Sequence, residues 1–368
     1  MTPELIESPA ALAALCDELK TQDCIAVDTE FARESSYFPH IGLIQIAGDS
    51  HIACIDPLAF DAKPLLSELL FNDSITKVFH ACLQDLEVLE LTLGNKPCPL
   101  FDTQVATALM NEDHQISYAR LVEKELDIKL PKSETRTNWL KRPLTKAQLE
   151  YAADDVRFLL SLYKQQLGEL EALNRSQWMH EECDRLCSRF INNQDDLSQC
   201  WTRVKGKERL RGIEFAVLQQ ASIWREQQAI GKDRTRRRIL PDDHIVQIAV
   251  KQPKNVSELS QIGRIRKLLG MSELDSLSEA ICLAFDKPES EWPTLKRRQL
   301  TADQSTALTA VLDQLRKKAS QLGISQGMLC NRKDAEKLIS GKRDLQVLSG
   351  WRLDCIGKDL LKLLPGGK

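Results

Sequence analysis

The stretch CIAVDTEF, residues 24–31, sets two carboxylates, Asp28 and Glu30, one residue apart inside an otherwise apolar run. An apolar run this short reads as a buried strand. Residues two apart in a strand point to the same face, so the two acids project together. Crowded carboxylates resist ionisation unless cations or protons offset their charge. The alternative is a strand end whose acids reach solvent.

The neighbouring sequence supports a sheet. IGLIQIAG (41–48) and HIACIDP (51–57) read as two more strands, and the short gaps suggest antiparallel neighbours. KPLLSELLFND (63–73) reads as a helix and ITKVFHA (75–81) as a fourth strand. LQDLEVLELTLG (83–94) is a helix stopped by Gly94, and PLFDTQVATALM (99–110) a short strand running into a helix. The pattern from about residue 103 is helical. LTKAQLEYAADDVRFLLSLYKQQLGELEAL (144–173) carries apolar residues at helix spacing, and Thr145 with Gln148 forms a capping box. The fold class is therefore α/β, a mixed sheet flanked by helices. Polar, irregular sequence near 191–206 marks a linker, and AFDKPESEWPT (284–294) a second boundary.

Two further acidic positions stand out. Asp85 falls in the first turns of the helix after the fourth strand. Tyr151 and Asp155 are four residues apart, so they share one face of their helix. Asp154 is turned about 100° away from Asp155 and should aim elsewhere. Taken singly, Asp85 is an ordinary acid at a favourable helix N-terminus, Tyr151 a core residue and His80 a satisfied strand-end histidine. Asp28, Glu30, Asp85 and Asp155 together offer carboxylate oxygens and no Cys or His cluster. Such a set suits hard divalent cations and offers nothing for zinc.

The chain has 368 residues, enough for two or three domains. No apolar run approaches the roughly 18 residues of a membrane helix. The N-terminus is acidic and lacks the basic start of a secretory signal. Eleven cysteines are scattered without a CxxC, which suggests reduced thiols in a cytoplasmic protein. The net charge of −3 conceals an asymmetry. Residues 1–170 hold 15 Lys and Arg against 27 Asp and Glu, whereas residues 201–368 hold 32 against 20. An acidic front and a basic back suit a carboxylate site joined to a polyanion-binding part, although solvated helix faces would look the same.

VDTEFARESSYFPHIGLIQIA, VFHACLQDLEVL and RPLTKAQLEYAADDVRFL resemble the three motifs of the DEDD exonucleases, and most closely those of the bacterial ribonuclease D family. Tyr151, with Glu150 where a histidine would otherwise stand, places the resemblance in the DEDDy branch. The likeness covers roughly residues 1–170 and implies a ribonuclease H-like mixed sheet. It also implies that Asp28, Glu30, Asp85 and Asp155 hold two Mg²⁺ or Mn²⁺ ions about 4 Å apart for hydrolysis. Tyr151 would orient the attacking water, since a phenol with a pKa near 10 is a poor base at neutral pH. Residues 208–288 resemble a helicase-and-RNase-D C-terminal (HRDC) domain, and residues 295–368 are assigned by position as a second. The expected domains are thus an exonuclease over 1–200 and two all-helical domains over 208–288 and 295–368.

The resemblance implies a 3′→5′ exoribonuclease that releases 5′-mononucleotides and trims 3′ extensions of structured RNA, precursor tRNA above all. The partner is then RNA with a free 3′ end; no membrane is involved and no oligomer is required. A DNA exonuclease would use the same metal chemistry, and a dead nuclease fold would only bind nucleic acid. Candidate RNA-binding residues are Phe31 and Tyr37, with Phe38 beside them, for stacking on bases. Trp224, Arg225, Arg234, Arg236, Arg237 and Arg238 are candidates in the basic stretch, where GKDRTRRRILPDD (231–243) holds five of the ten Lys and Arg between 204 and 240. His80 and Gln84 are further candidates to line the site.

Overall fold

Among the described residues, six strands form one mixed sheet in the order β1-β4-β3-β2-β5-β6. They are β1 (Glu4–Ile6), β2 (Cys24–Ala32), β3 (His40–Ala47), β4 (Ile52–Ile55), β5 (Thr76–Phe79) and β6 (Leu100–Asp102). The computed structural model describes residues 2–131, 137–188, 197–295 and 300–364. β3 and β4 are antiparallel, Ile44 opposite Ile55 and Ala47 opposite Ile52, as the short connection requires. β5 and β6 each return through a helix and run parallel to their neighbours, Ala26 facing Val78 and Val78 facing Phe101. β1, not anticipated from its three residues, pairs parallel with β4. The strand that carries Asp28 and Glu30 therefore lies inside the sheet, with neighbours on both sides.

Among the described residues, eight helices accompany the sheet: α1 (Pro9–Leu19), α2 (Lys63–Leu70), α3 (Leu83–Leu93), α4 (Thr103–Met110), α5 (Tyr118–Leu126), α6 (Lys146–Arg157), α7 (Leu159–Ala172) and α8 (Ser176–Ser188). Their ends follow local chemistry. α3 stops at Gly94, whose φ of 94° is open to glycine at little cost. α6 starts on Thr145, whose hydroxyl accepts from the Gln148 amide while the Gln148 side chain accepts from the Thr145 amide.

The chain divides into two compact units, one from residues 1–31, 41–191 and 299–368, the other from 32–40 and 192–298. The second unit is helical: α9 (Ile213–Gly231), α10 (Arg236–Ile239), α11 (Asp242–Lys251), α12 (Val256–Leu259) and α13 (Met271–Phe285). α9 packs on α11 and α13 around its own core, which includes Trp224, Leu218 and Ile281. The closing helices are α14 (Ala302–Leu322), α15 (Gln326–Leu329), α16 (Arg332–Ile339), α17 (Gly350–Arg352) and α18 (Lys358–Lys362). They share one apolar core with the sheet unit, for Val311, Leu338 and Trp351 join the cluster of Leu86, Val156 and Met179. Among the described residues no helix is long and apolar enough to cross a membrane.

The cysteines depart from the expectation of uniformly reduced thiols. Cys98 and Cys187 are joined in a disulfide, Cα atoms 6.1 Å apart, and the other nine are free. The partners are 89 residues apart, so no short motif announces them.

A buried polar seam fixes the closing helices to α8. Glu182, 2% exposed, accepts from the Arg352 guanidinium and from Trp351 Nε1 at 2.9 Å, and Trp178 stacks on Trp351 at 4.3 Å. Arg352 Nε also donates to the Met328 carbonyl at 2.7 Å. Removing one member of such a pair strands the other charge in the interior, which costs about 3–5 kcal/mol. Glu182→Ala is therefore expected to lower unfolding free energy by that amount in denaturant titration. A loss below about 1 kcal/mol would show that the seam behaves as a surface pair.

Candidate active site

β2 delivers Asp28 and Glu30, the first turn of α3 delivers Asp85, and α6 delivers Tyr151 and Asp155. Asp85 is buried, while Asp28, Glu30 and Asp155 each keep a partly exposed edge. The four carboxylates interact strongly. Burial pushes Asp28 well above the usual carboxylate range, and Asp85, Asp155 and Glu30 push it further. Burial, then Asp155 and Asp85, raise Glu30 to about 8. Asp85 and Asp155 are each raised to about 7, mainly by burial; the Thr29 hydroxyl opposes the shift at Asp85, and Asp154 adds to it at Asp155. The strand pair, the second acid and the third thus belong to one acidic site. Tyr151 joins them: burial raises its phenol, and Asp155, Glu30 and Asp28 raise it further.

Three anchors that sequence reading missed hold these elements. Thr29, between the paired acids, donates to Asp85 Oδ1 at 2.5 Å and ties the first motif to the second. Asp102 is 2% exposed and accepts from four backbone amides. Ala81 and Cys82 donate to it at 3.1 and 2.8 Å, Gln104 and Val105 at 2.8 and 3.2 Å. It caps α4 and fixes the turn into α3, where Ala81 adopts φ 59°. A non-glycine residue there is strained and needs such support. Asp before a helix is a legible cap, but its second task comes from the adjacent strand.

The third anchor is Tyr118. Residues 144–173, expected as one helix, break at Phe158 (φ −110°, ψ −2°) into α6 and α7. The Tyr118 hydroxyl donates to the Asp154 carbonyl at 3.0 Å and accepts from the Phe158 amide at 3.2 Å. These are the two groups that would bond each other in a continuous helix, and an inserted side chain is a recognised cause of such a kink. Asp155 lies in the opened turn. Asp154 points elsewhere, accepting from Arg157 Nε at 2.7 Å.

His80, a candidate to line the site, is engaged: one ring nitrogen lies 2.9 Å from Thr103 Oγ1, the other 3.0 Å from the Ile116 carbonyl. Its ring packs on Tyr118 at 5.6 Å. Gln84 is exposed and Phe31 half-buried.

The nucleic-acid candidates of the helical unit divide sharply. Trp224 is a correction: it is buried in the module core with its Nε1 on Ser276. Arg225 is another, buried and bonded to the Leu240 carbonyl and, at 2.7 Å, to Asp242. Tyr37, in the 32–40 segment of the same unit, donates to Glu226 at 2.6 Å and carries the Arg236 guanidinium 4.9 Å over its ring. That face is not free to stack on a base. Arg236 is itself paired with Glu226, and Phe38 is half-buried with its amide on Asp233 at 2.9 Å. Arg234, Arg237 and Arg238 point outward and are exposed.

Among the described residues, no three His, Cys, Asp or Glu side chains close into a metal-holding cage. The electrostatics nonetheless bring the four acids into mutual range, and Asp85 Oδ1 is taken up by Thr29. The donor chemistry decides the fit: oxygen ligands, buried or half-buried, each made costly to ionise by burial and by neighbouring acids. That fits hard divalent cations.

Comparison with known proteins bears on the family and the fold. A family profile described as 3′-5′ exonuclease matches residues 3–171, and one described as HRDC domain matches residues 214–269. Ribonuclease D of Zymomonas mobilis is 38% identical, the match covering 98% of this chain and 94% of that protein. Ribonuclease D of Pseudomonas paraeruginosa is 35% identical, covering 98% of each. The crystal structure of Escherichia coli RNase D, described as an exoribonuclease involved in structured RNA processing, superposes with a TM-score of 0.86 at 30% identity. It covers 99% of this chain and 98% of that one. The chain belongs to the ribonuclease D family of 3′-5′ exoribonucleases.

Proposed function

We propose that the chain removes 5′-mononucleotides stepwise from the 3′ ends of structured RNA, precursor tRNA above all, using two divalent cations, Mg²⁺ or Mn²⁺, held by Asp28, Glu30, Asp85 and Asp155. The observation that carries this reading is the mutual perturbation of four carboxylates from three separate segments in one site. Bound cations would supply charge neutralisation and polarisation of the phosphate and the water. Hydrolysis joins the water oxygen to phosphorus, breaks the bond from phosphorus to the penultimate 3′ oxygen, and leaves a proton on that oxygen.

The chain's own groups then have distinct tasks. Burial and the neighbouring acids push the Tyr151 phenol up, which favours orienting the water as a hydrogen-bond donor over acting as a base. Phe31 follows the acid pair along the chain, and its ring can stack on a terminal base. The exposed Arg234, Arg237 and Arg238 supply phosphate contacts that give affinity without sequence reading. Precursor tRNA as substrate rests on the family resemblance and on the structured-RNA role described for the Escherichia coli relative.

The direct test is a time course on a 3′-extended RNA hairpin labelled at its 5′ end, beside a matched DNA. A ladder shortening one nucleotide at a time is expected with Mg²⁺ or Mn²⁺, absent with EDTA and absent with Asp155→Asn. Intact RNA with shortened DNA would move the substrate class to DNA; both intact under every condition would sink the nuclease reading.

The raised acids make metal binding proton-linked. Glu30 near 8, and Asp85 and Asp155 near 7, hold protons at pH 6 that a cation must displace. Apparent Mg²⁺ affinity should therefore rise from pH 6 to pH 9. Calorimetry in buffers of different ionisation enthalpy should show more protons released at pH 7 than at pH 9. An affinity flat over that range would argue against these acids as the ligands.

Neutralising Arg234, Arg237 and Arg238 together should weaken RNA binding and flatten its log–log salt dependence by about 2, at roughly 0.7 per single-strand phosphate contact. Hydrolysis of a small chromogenic phosphodiester should be unaffected. An unchanged salt slope would remove these arginines from the RNA path.

A further inference from the structure

The segment leading into α6 is fixed by one guanidinium. Arg142 grips Asp56 in a bidentate pair, Nε to Oδ2 at 2.5 Å and Nη2 to Oδ1 at 2.8 Å. The same group donates to the Gly42 carbonyl at 2.6 Å, the Trp139 carbonyl at 2.7 Å and the Lys141 carbonyl at 3.1 Å. Asp56, which directly follows β4, is 2% exposed and also accepts from the Leu58 amide at 2.9 Å. Fork-to-fork pairing of this kind adds geometric precision as well as attraction. The guanidinium thus fastens residues 139–142 to two adjacent strands.

Gly42 admits this arrangement. A Cβ there would lie 2.6 Å from the Trp139 carbonyl oxygen and 2.8 Å from the Trp139 Cβ. Any larger residue would push the segment off the sheet. The product of the clamp is the placement of one indole. Trp139 is 4% exposed, packs with Leu43, Cys54 and Ala152, and lies 6.2 Å from the Tyr151 ring at 34°. Rings at this separation are in contact.

We propose that Trp139 is a positioning residue for the Tyr151 phenol, held in place by the Arg142–Asp56 pair against Gly42. The inference rests on Tyr151 as the water-orienting group. A phenol that donates a hydrogen bond must be aimed, and its ring can turn about two side-chain bonds. Asp155, one turn along the same helix, perturbs Tyr151 as a charge, whereas Trp139 gives it a wall. An indole that merely filled the core would stabilise the fold without caring whether the neighbouring ring carries a hydroxyl. A double-mutant cycle separates these two roles.

The experiment uses the full chain on the 3′-extended RNA, comparing wild type, Trp139→Leu, Trp139→Phe, Tyr151→Phe and the Trp139→Leu/Tyr151→Phe double variant, with Mg²⁺ binding followed by calorimetry. Trp139→Leu should lower kcat about 10- to 100-fold, as a misplacement of about 1 Å does. KM should stay within about threefold and Mg²⁺ affinity within about twofold, while Trp139→Phe should recover most of kcat. In the Tyr151→Phe background, Trp139→Leu should cost less than about twofold. Should Trp139→Leu fail to fold, Arg142→Lys loosens the same segment and enters the same cycle. Equal losses in both backgrounds, or a wild-type kcat for Trp139→Leu, would overturn the inference while leaving Tyr151 catalytic. A Tyr151→Phe enzyme of near wild-type kcat would overturn the role of Tyr151 and this inference with it.

Discussion

Four carboxylates brought to one place repel one another, and the rest of the sheet unit is arranged to hold them there. Burial is the largest effect on each, and the neighbouring acids add to it at every one. Left to flexible loops, such groups would move apart. Here each sits on a regular element with its own fastening. The pleat of β2 sets Asp28 and Glu30 side by side. The turn into α3 hangs from Asp102, which takes up the Ala81 and Cys82 amides. The end of α6 hangs from the Tyr118 hydroxyl. The Asp102 and Tyr118 fastenings use hydrogen bonds to backbone, whose geometry is stiff, and Thr29 adds a side-chain bond to Asp85.

Much of this was legible in sequence because it is local. The acid pair inside an apolar run, the Gly94 stop, the Thr145–Gln148 cap and the Tyr-x-x-x-Asp face all depend on residues within one turn or one strand. What was illegible depends on distant partners. The apolar spacing continues across Phe158, so periodicity reads one helix; the hydroxyl that opens it lies 40 residues earlier. The bonds of Arg142 reach Asp56 and Gly42, 86 and 100 residues away. The positive φ of Ala81 has no glycine or asparagine to announce it.

The basic stretch of the helical unit shows a second limit. Read as a charge run, its arginines form one stripe. In the folded unit Arg225 faces Asp242 and Arg236 faces Glu226, so their charge is spent on holding the module and the Tyr37 loop. Only side chains that point away from these acids keep charge for a phosphate, and they are interleaved in sequence with those that do not. Nor does an aromatic beside an arginine mark a stacking platform, for Trp224 is as deeply buried as the aliphatic residues around it.

The raised phenol of Tyr151 connects these observations to the chemistry. Burial, then Asp155, Glu30 and Asp28, push that phenol up, which disfavours a role as base. As a donor it would gain from the same surroundings, which favour the protonated phenol. The controlled quantity is then direction. Direction is set by what the ring touches and by the helix that carries it, and the segment before α6 is clamped to two strands by a single guanidinium. On the proposed reading the carboxylates would select the cations, and the packing behind the tyrosine would aim the water.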